Sequence, residues 1–250
     1  MILWSDVSVS YGPTRVLGPV SLEVAAGEWV GIIGPNGSGK STMLKSAVGI
    51  VDFVGEVSLA GSLPRPGLDI AWMPQRPAMP DGMTVSDYVI LGRTPHLGYL
   101  AAEGREDIAA VERALRLMDL GQFASRPLST LSGGEAQRVV MARALAQEAP
   151  VILLDEPTAN LDIGHAVEVL DAVDTLRATQ SLTVVSAVHD LTLAGRYADR
   201  LALLSGGVVQ ALGSPSEVLD EDVLIPHYGA GLRVKPDEDG PVVIPTRQVR

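Results

Sequence analysis

The order of apolar and polar positions predicts strands at the start of the chain. Leu3–Val9 and Val16–Val24 alternate in polarity, which is typical of half-buried strands. Trp29–Ile33 is a short continuous apolar run, as expected for a strand buried on both faces. Lys40–Val48 then has helical character and stops at Gly49. A strand, a glycine-rich loop and a helix therefore follow one another.

A different pattern begins at about residue 78 and continues to residue 148. Apolar side chains recur at helical spacing within Asp107–Met118. Thr84 is a candidate N-cap for a further helix that extends to Leu91. We interpret this segment as a helical insertion between two parts of one α/β core.

Short apolar runs return after the insertion, and they alternate with helical stretches. The runs Val151–Leu154 and Leu182–Ala187 are typical of buried parallel strands. Helices are predicted at about 164–178 and 191–197, and a closing hairpin is predicted over 201–212.

The patterns together predict one α/β domain over residues 1–250. Its core lobe comprises residues 1–77 and 149–234, and residues 78–148 form the helical subdomain. The tail, residues 235–250, is rich in proline and charge, so we expect it to be poorly packed.

Composition narrows the classes of function. The formal net charge is -11 and aromatic residues make up only 4%, which disfavours a nucleic-acid partner. The chain has no cysteine, so disulfides, thiolate metal sites and a cysteine nucleophile are excluded. No apolar run reaches the roughly 18 residues that span a bilayer. The first residues lack the features of a signal peptide, and we expect a cytosolic protein.

The loop after the third predicted strand has the spacing of a phosphate-binding loop. Glycines allow positive φ, so that several N–H groups can point at phosphate oxygens, and the next helix directs its N-terminus at the same anion. Lys40 would reach the β- and γ-phosphates, and the Ser41 hydroxyl would bind Mg²⁺. The expected nucleotide-binding residues are Gly34, Pro35, Asn36, Gly37, Ser38, Gly39, Lys40, Ser41 and Thr42.

Acidic side chains and a histidine follow two other apolar runs. Asp155 ends the run at 151–154 and is a candidate for orienting Mg²⁺ and its water. Glu156 is the candidate general base for the attacking water. His189 ends the next run, at the edge of an open α/β sheet where ligands collect, and is a candidate γ-phosphate contact.

With these motifs in this order, the chain resembles the ATP-binding subunit of an ABC transporter. Gly34–Ser41 is similar to the Walker A motif, Leu131–Glu135 to the ABC signature and Val151–Glu156 to Walker B. Asn160–Asp162 is similar to the D-loop, and His189 to the switch histidine. The resemblance covers essentially the whole chain and implies a P-loop NTPase fold with a mixed β-sheet core and an N-terminal antiparallel portion.

The resemblance implies further site residues and a dimer. Gln75 would contact the metal and water and relay changes to a membrane partner, and Tyr11 would stack on adenine. Two copies would pack head to tail around two ATP molecules, with Ser132, Gly133 and Gly134 of one chain at the γ-phosphate bound by the other. Asp162 could act across this dimer, cap the helix that begins near residue 163, or do both.

The resemblance also implies a place and a partner. We expect an active ATPase at the cytoplasmic face of the membrane that works with permease subunits and, indirectly, with a substrate-binding protein. Gly82–His96 and Gly231–Pro245 resemble the same stretches of importer ATPases for iron–siderophore, haem and cobalamin chelates. Two alternatives stay open: an importer of another class, such as one for zinc or manganese, and a soluble ABC protein without a transport role.

Overall fold

A computed structural model describes residues 1–75, 77–98, 101–229 and 231–247. The chain divides into two compact units. The first unit is Met1–Pro64 with Thr183–Arg250, and the second unit is Arg65–Leu182.

The strands and helices of the described residues are numbered in chain order. The strands are β1 (Ile2–Tyr11), β2 (Thr14–Val24), β3 (Trp29–Ile33), β4 (Val54–Leu59), β5 (Ile70–Met73), β6 (Val151–Asp155), β7 (Thr183–Ala187), β8 (Arg200–Ser205), β9 (Val208–Gly213), β10 (Leu232–Lys235) and β11 (Val242–Pro245). The helices are α1 (Lys40–Ala47), α2 (Val85–Ile90), α3 (Arg105–Leu117), α4 (Gly133–Leu145), α5 (Ile163–Gln180), α6 (Leu191–Tyr197), α7 (Pro215–Val218) and α8 (Glu221–Tyr228). Short 3-10 helices cover Leu91–His96, Gly121–Phe123 and Leu128–Thr130.

The predicted N-terminal strands of the first unit are confirmed, and they form an antiparallel sheet in the order β2-β1-β4. In β1 the alternating side chains Ile2, Trp4, Val7 and Val9 are buried, with a shift of register between Trp4 and Val7. This alternation is what an antiparallel sheet with one covered face requires. Strand β4 was not predicted, because half of its six residues are exposed and its pattern is weak.

A second sheet of the first unit is built around β3, which lies between β7 and β8 and is parallel to both. Strand β9 pairs antiparallel with β8, so the predicted hairpin is confirmed and the sheet is mixed. Every residue of β3 and β7 is buried, and Trp29 Nε1 donates to Ser186 Oγ at 2.8 Å between them. The parallel pairing brings the carboxyl ends of β3 and β7 to the same edge of the sheet.

The expectation of a poorly packed tail is wrong for Val242–Pro245, which form a paired strand. Strand β11 pairs antiparallel with β10 and packs on α6. The Val243 N–H donates to Thr192 Oγ1 at 3.1 Å, which ties the tail to that helix. The proline and charge content of 235–250 obscured the short apolar run that forms β11. Residues 248–250 lie outside the described residues.

The second unit contains the parallel pair β5 and β6 together with α2, α3, α4 and α5. The predicted helix after Thr84 is confirmed as α2, and the Thr84 side chain accepts a hydrogen bond from the Asp87 N–H in a capping box. The helix predicted within Asp107–Met118 is confirmed as α3, with its buried face at Ala110, Val111, Ala114 and Leu115. Helices α2, α3 and α4 pack on one another.

Buried Arg93 connects separate parts of the second unit. Its Nε donates to Asp107 Oδ1 at 2.9 Å, and its Nη1 donates to the Ala146 carbonyl at 2.9 Å. The same nitrogen lies 3.1 Å from Glu148 Oε2. One guanidinium therefore joins the start of α3 to the residues that follow α4.

Among the residues that the structure describes, none of the helices has the length and the apolar character that a membrane span requires.

Candidate nucleotide-binding site

The phosphate loop lies in the first unit, between β3 and α1. Gly34, Gly37 and Gly39 have φ angles of 152°, 78° and 105°, which L side chains rarely adopt. At Gly34 a Cβ atom would lie 2.0 Å from the Leu204 carbonyl oxygen. Both the backbone conformation and the close approach of β8 therefore require glycine at the first position of the loop.

Lys40 is buried and folds back on the loop. Its Nζ donates to the carbonyl oxygens of Gly34 at 2.7 Å and Pro35 at 3.2 Å. Only 6% of the residue is exposed, so its charge is held inside the curve of the loop. An ammonium in this place is available to move from carbonyl oxygens to a stronger, anionic acceptor.

The donors at the loop suit an anionic ligand. Helix α1 begins after Gly39, which offers no side-chain cap to the first N–H groups of the helix. The Ser38 hydroxyl is buried and has no hydrogen-bond partner within the described part of the chain. A buried hydroxyl without a partner is costly unless a ligand or water completes it, so the loop fits a bound phosphate.

Tyr228, at the end of α8, is a neighbour of the loop that the sequence pattern did not indicate. Burial raises the pKa of Tyr228 to about 12, and the backbone N–H of Gly34 acts in the opposite direction as a donor to the phenol oxygen. This residue belongs to the first unit, as does the loop. Tyr228 lies 194 residues from Gly34 along the chain, so local sequence patterns could not indicate this contact.

His189 and Tyr11 also lie in the first unit. His189 follows β7 and is exposed, and Asp190 after it caps α6 by accepting from the Leu193 N–H. Because β7 and β3 are parallel neighbours, His189 and the phosphate loop both follow carboxyl ends at one edge of the sheet. Tyr11 ends β1 and is 53% exposed, which leaves its ring open for stacking on a base.

The candidate acidic residues lie in the second unit, at the end of β6. Asp155 is buried, and Glu156 follows it in the left-handed region with a φ angle of 55°. A residue with a Cβ atom rarely adopts this conformation, and such strain is concentrated at functional sites. Gln75 Nε2 donates to Glu156 Oε2 at 2.5 Å, so the structure brings two of the predicted site residues together.

The backbone of the same strained segment is bound by a residue that the sequence analysis missed. Gln137 Nε2, from α4, donates to the carbonyl oxygens of Glu156 at 3.1 Å and Pro157 at 3.2 Å. Gln137 is 5% exposed and lies five residues after Ser132 in the chain. A glutamine on the buried face of a helix is the signal that could have indicated this role.

Ser132 begins α4 in a reciprocal capping box. Its hydroxyl accepts from the Glu135 N–H at 3.3 Å, and Glu135 Oε2 accepts from the Ser132 N–H at 2.7 Å. Hydrogen bonds from Ser132 hold the pKa of Glu135 below its usual value, and Arg126 contributes to the shift. Ser132 and Gly133 are exposed, so this helix start is presented to solvent.

Asp162 caps α5, as one of the two interpretations of the sequence expected. Its Oδ1 accepts from the His165 N–H at 2.9 Å, and its Oδ2 lies 2.8 Å from His165 Nδ1. The first of these bonds is the largest reason that the pKa of Asp162 is lowered. Its carboxylate is therefore already engaged within the chain.

Comparison with known proteins places the chain in a family. The sequence model described as ABC transporter matches residues 17–159, which is more than half of the chain. It is an ABC transporter family protein.

Curated relatives of this ABC protein include import ATP-binding proteins. It is 40% identical over 240 residues to the cobalamin import ATP-binding protein BtuD of Halobacterium salinarum, an alignment that covers 93% of this chain and 60% of that protein. It is also 40% identical to the hemin import ATP-binding protein HmuV of Myxococcus xanthus, with 96% and 94% of the two chains covered. The chain thus spans about 60% of the length of the first relative and nearly all of the second.

Solved structures of ABC cassettes share the fold. A chain described as part of an inward-facing metal-chelate type ABC transporter superposes with a TM-score of 0.86 at 25% identity, and 99% of this chain and 98% of the other are covered. The dimeric ABC transporter cassette MJ0796 has a TM-score of 0.78 at 30% identity, with 86% and 99% covered. The α/β ABC ATPase fold implied by the motifs is therefore confirmed.

Proposed function

We propose that this protein is the ATP-binding and ATP-hydrolysing subunit of an ABC importer for an iron–siderophore, haem or cobalamin chelate. The observation that carries the proposal is the phosphate loop geometry in a chain that aligns over nearly its full length with a hemin import ATP-binding protein. The metal-chelate type transporter among the structural neighbours supports the same class of substrate.

The proposed nucleotide site uses Gly34–Thr42 for the phosphates and Tyr11 for the adenine ring. Lys40 would exchange its carbonyl partners for β- and γ-phosphate oxygens. His189 would contact the γ-phosphate, at the sheet edge that it shares with the loop. The backbone N–H groups, the buried Lys40 ammonium and the His189 imidazole are all hydrogen-bond donors, so together they suit a polyanion.

Ser41, Gln75 and Asp155 are the proposed metal-binding residues, since hydroxyl, amide and carboxylate oxygens are the ligands that Mg²⁺ prefers. The ion, when bound, would neutralise charge on the phosphates. Glu156 is the proposed general base, which would accept the proton of the attacking water. Its bond with Gln75 holds that carboxylate in one orientation until the amide is given another partner.

We propose further that two copies form the working unit. The exposed start of α4, with Ser132, Gly133 and Gly134, would complete the phosphate site of the second copy through its hydroxyl and N–H groups. Asp162 would lie at the same interface. A dimeric cassette among the structural neighbours supports this arrangement.

The remaining partners follow from the importer class. Residues 78–148, the proposed helical subdomain, would dock on permease subunits at the cytoplasmic face of the membrane, with Gln75 as the relay. A substrate-binding protein would act only through the permease. We propose no nucleic-acid partner, since the net charge of -11 opposes a phosphate backbone.

Glu156→Gln tests the catalytic proposal. The amide cannot accept a proton, so we expect turnover to fall by about 10²–10⁴-fold while ATP binding persists. Size-exclusion chromatography with ATP should show a stable dimer of the variant. Hydrolysis at the wild-type rate would contradict the assignment of Glu156.

The substrate class is tested with the complete transporter. The protein is purified together with its permease and reconstituted in liposomes that contain the binding protein. Ferric siderophore, haemin or cobalamin should raise the ATPase rate, whereas Zn²⁺ and Mn²⁺ alone should leave it unchanged. Stimulation by the free ions would favour the alternative importer class.

A further inference from the structure

We propose that Gln137 is a positioning residue that sets the catalytic base from the signature helix. This inference rests on the proposed role of Glu156 and adds a residue that is not among those expected from the sequence. It concerns only the second unit, in which α4 and the segment from Glu156 to Leu161 both lie.

The segment that carries the base is conformationally demanding. Glu156 and Asn160 have φ angles of 55° and 63°, and this left-handed conformation is uncommon for a glutamate, whereas asparagine tolerates it. Within the segment the Ala159 N–H donates to the Glu156 carbonyl at 3.1 Å. Such a conformation persists only where the surroundings over-determine it. Contacts to this segment from outside the turn closed by the Ala159–Glu156 hydrogen bond are therefore expected.

Gln137 supplies that external restraint. The two N–H groups of one amide can donate to two acceptors, and here the acceptors are the successive carbonyls of Glu156 and Pro157. The Gln137 side chain is nearly fully buried, so these bonds form away from competing water. The orientation of the peptide planes on either side of Pro157 is thereby set from α4.

The start of the same helix packs on the rest of the segment. A Cβ atom on Gly133 would lie 3.8 Å from Asn160 Cβ, and one on Gly134 would lie 3.3 Å from Leu161 Cδ2. Helix α4 therefore meets the segment at its beginning through Gln137 and at its end through the two glycines. The helix and the segment form one packed body.

This packing has a consequence for the proposed dimer. Ser132 would contact the nucleotide bound by the second copy, while Gln137, on the same helix, sets the base of its own copy. A shift of α4 on engagement of one nucleotide would be transmitted to the base that serves the other. We infer that Gln137 couples the two sites, and that its loss reduces turnover without weakening nucleotide binding.

Gln137→Met and Gln137→Glu test the inference, since both keep the length of the side chain and remove its N–H donors. We expect kcat to fall at least 10-fold in both variants. We expect KM and the Kd of a fluorescent ATP analogue to stay within twofold of the wild-type values, and the Hill coefficient for ATP to fall towards 1. The matched control is Gln122→Met, which replaces an exposed glutamine in the same unit and should leave all four quantities unchanged.

Each outcome has a defined meaning. A kcat within twofold of wild type in either folded variant would overturn the inference. Parallel changes of kcat and Kd, or failure of both variants to show a cooperative unfolding transition, would overturn it as well, because Gln137 would then be structural. If Glu156→Gln retains turnover, the proposed base is wrong; if Glu156→Gln is inactive and Gln137→Met is not impaired, only the present inference fails.

Discussion

The phosphate loop and the segment after β6 are maintained by opposite means. The loop is shaped mainly by backbone: glycines with positive φ, a carbonyl of β8 pressed against Gly34, and a helix start without a side-chain cap. The segment with Glu156 is shaped by two side-chain amides, those of Gln75 and Gln137. Backbone geometry is difficult to alter, whereas an amide exchanges partners easily.

The difference separates binding from turnover. A ligand that meets a preformed loop finds its donors in place, as expected of a site that must capture nucleotide in every cycle. A base that depends on two amides can be aligned or misaligned by small shifts of the elements that carry them. Control of hydrolysis is therefore better placed in the second unit than in the first.

Gly34→Ala tests whether the phosphate loop depends on its backbone geometry. Among the variants in this section it has the largest expected effect. The added Cβ would collide with the Leu204 carbonyl at 2.0 Å, so the loop must move. A displacement of about 1 Å can cost on the order of 100-fold in rate, and we expect at least that loss in kcat/KM for ATP hydrolysis in a steady-state assay. Gly206→Ala is the control, since that glycine also has positive φ but has nothing within 4 Å of the added atom.

Arg93→Met would test how far the second unit depends on side chains. Removal of the guanidinium leaves Asp107 and the Ala146 carbonyl without their buried donor. Breaking a buried network of this kind should lower the melting temperature by roughly 5–10 °C in calorimetry. Arg116→Met removes an exposed pair with Glu112 and should have almost no effect. Equal shifts of the melting temperature in Arg93→Met and Arg116→Met would contradict the proposed importance of the buried Arg93 network.

Lys40→Met would separate charge from shape within the loop. The glycines remain, but the buried ammonium and its donors are lost. Charge-assisted hydrogen bonds of this type correspond to an affinity loss of about 10- to 100-fold for ATP. Lys45→Met, in the last turn of the same helix, is the matched control and should keep wild-type affinity. An unchanged Kd in Lys40→Met would remove Lys40 from the proposed site.

Tyr228→Phe has the smallest expected effect, which is measured as a change of relative stability with pH in alkali. The folded pKa of about 12 lies above the unfolded value of about 10, so the fold favours the neutral phenol. The resulting stabilisation is complete below pH 10 and is lost as the pH rises towards 12. Urea unfolding should show the stability of the wild type relative to Tyr228→Phe fall by about 1 kcal/mol between pH 9 and pH 11. A constant difference would mean that Tyr228 is not buried in solution.

Local patterns were sufficient for elements whose causes lie within a few residues. β3, the glycine loop and α1 follow one another without interruption, and each has its own signal: an apolar run, glycines and a helical period. The hairpin of β8 and β9 was predicted for the same reason. Asp155 and Glu156 could be located because a short buried strand ends at them.

Features that depend on distant partners could not be predicted. Glu156 has a left-handed conformation in a segment whose carbonyls accept hydrogen bonds from Gln137, and the sequence around residue 156 does not indicate it. Tyr228 reaches Gly34 from the far end of the chain. The pairing of β10 with β11 was hidden because proline and charge dominate the composition of the tail. For Glu156 and Tyr228 the cause is a tertiary contact, whereas for β10 and β11 it is the composition of the tail.

The capping box at Ser132 also restricts the hydrogen bonds that its hydroxyl can make with a ligand. Its oxygen already accepts from the Glu135 N–H, so its proton is left to donate outward. A hydroxyl arranged in this way can donate to an oxyanion. Glu135, tied down by the Ser132 N–H and by Arg126, keeps its own negative charge turned back into the helix start. The exposed Ser132 hydroxyl therefore has its proton available for an anionic acceptor such as a phosphoryl oxygen.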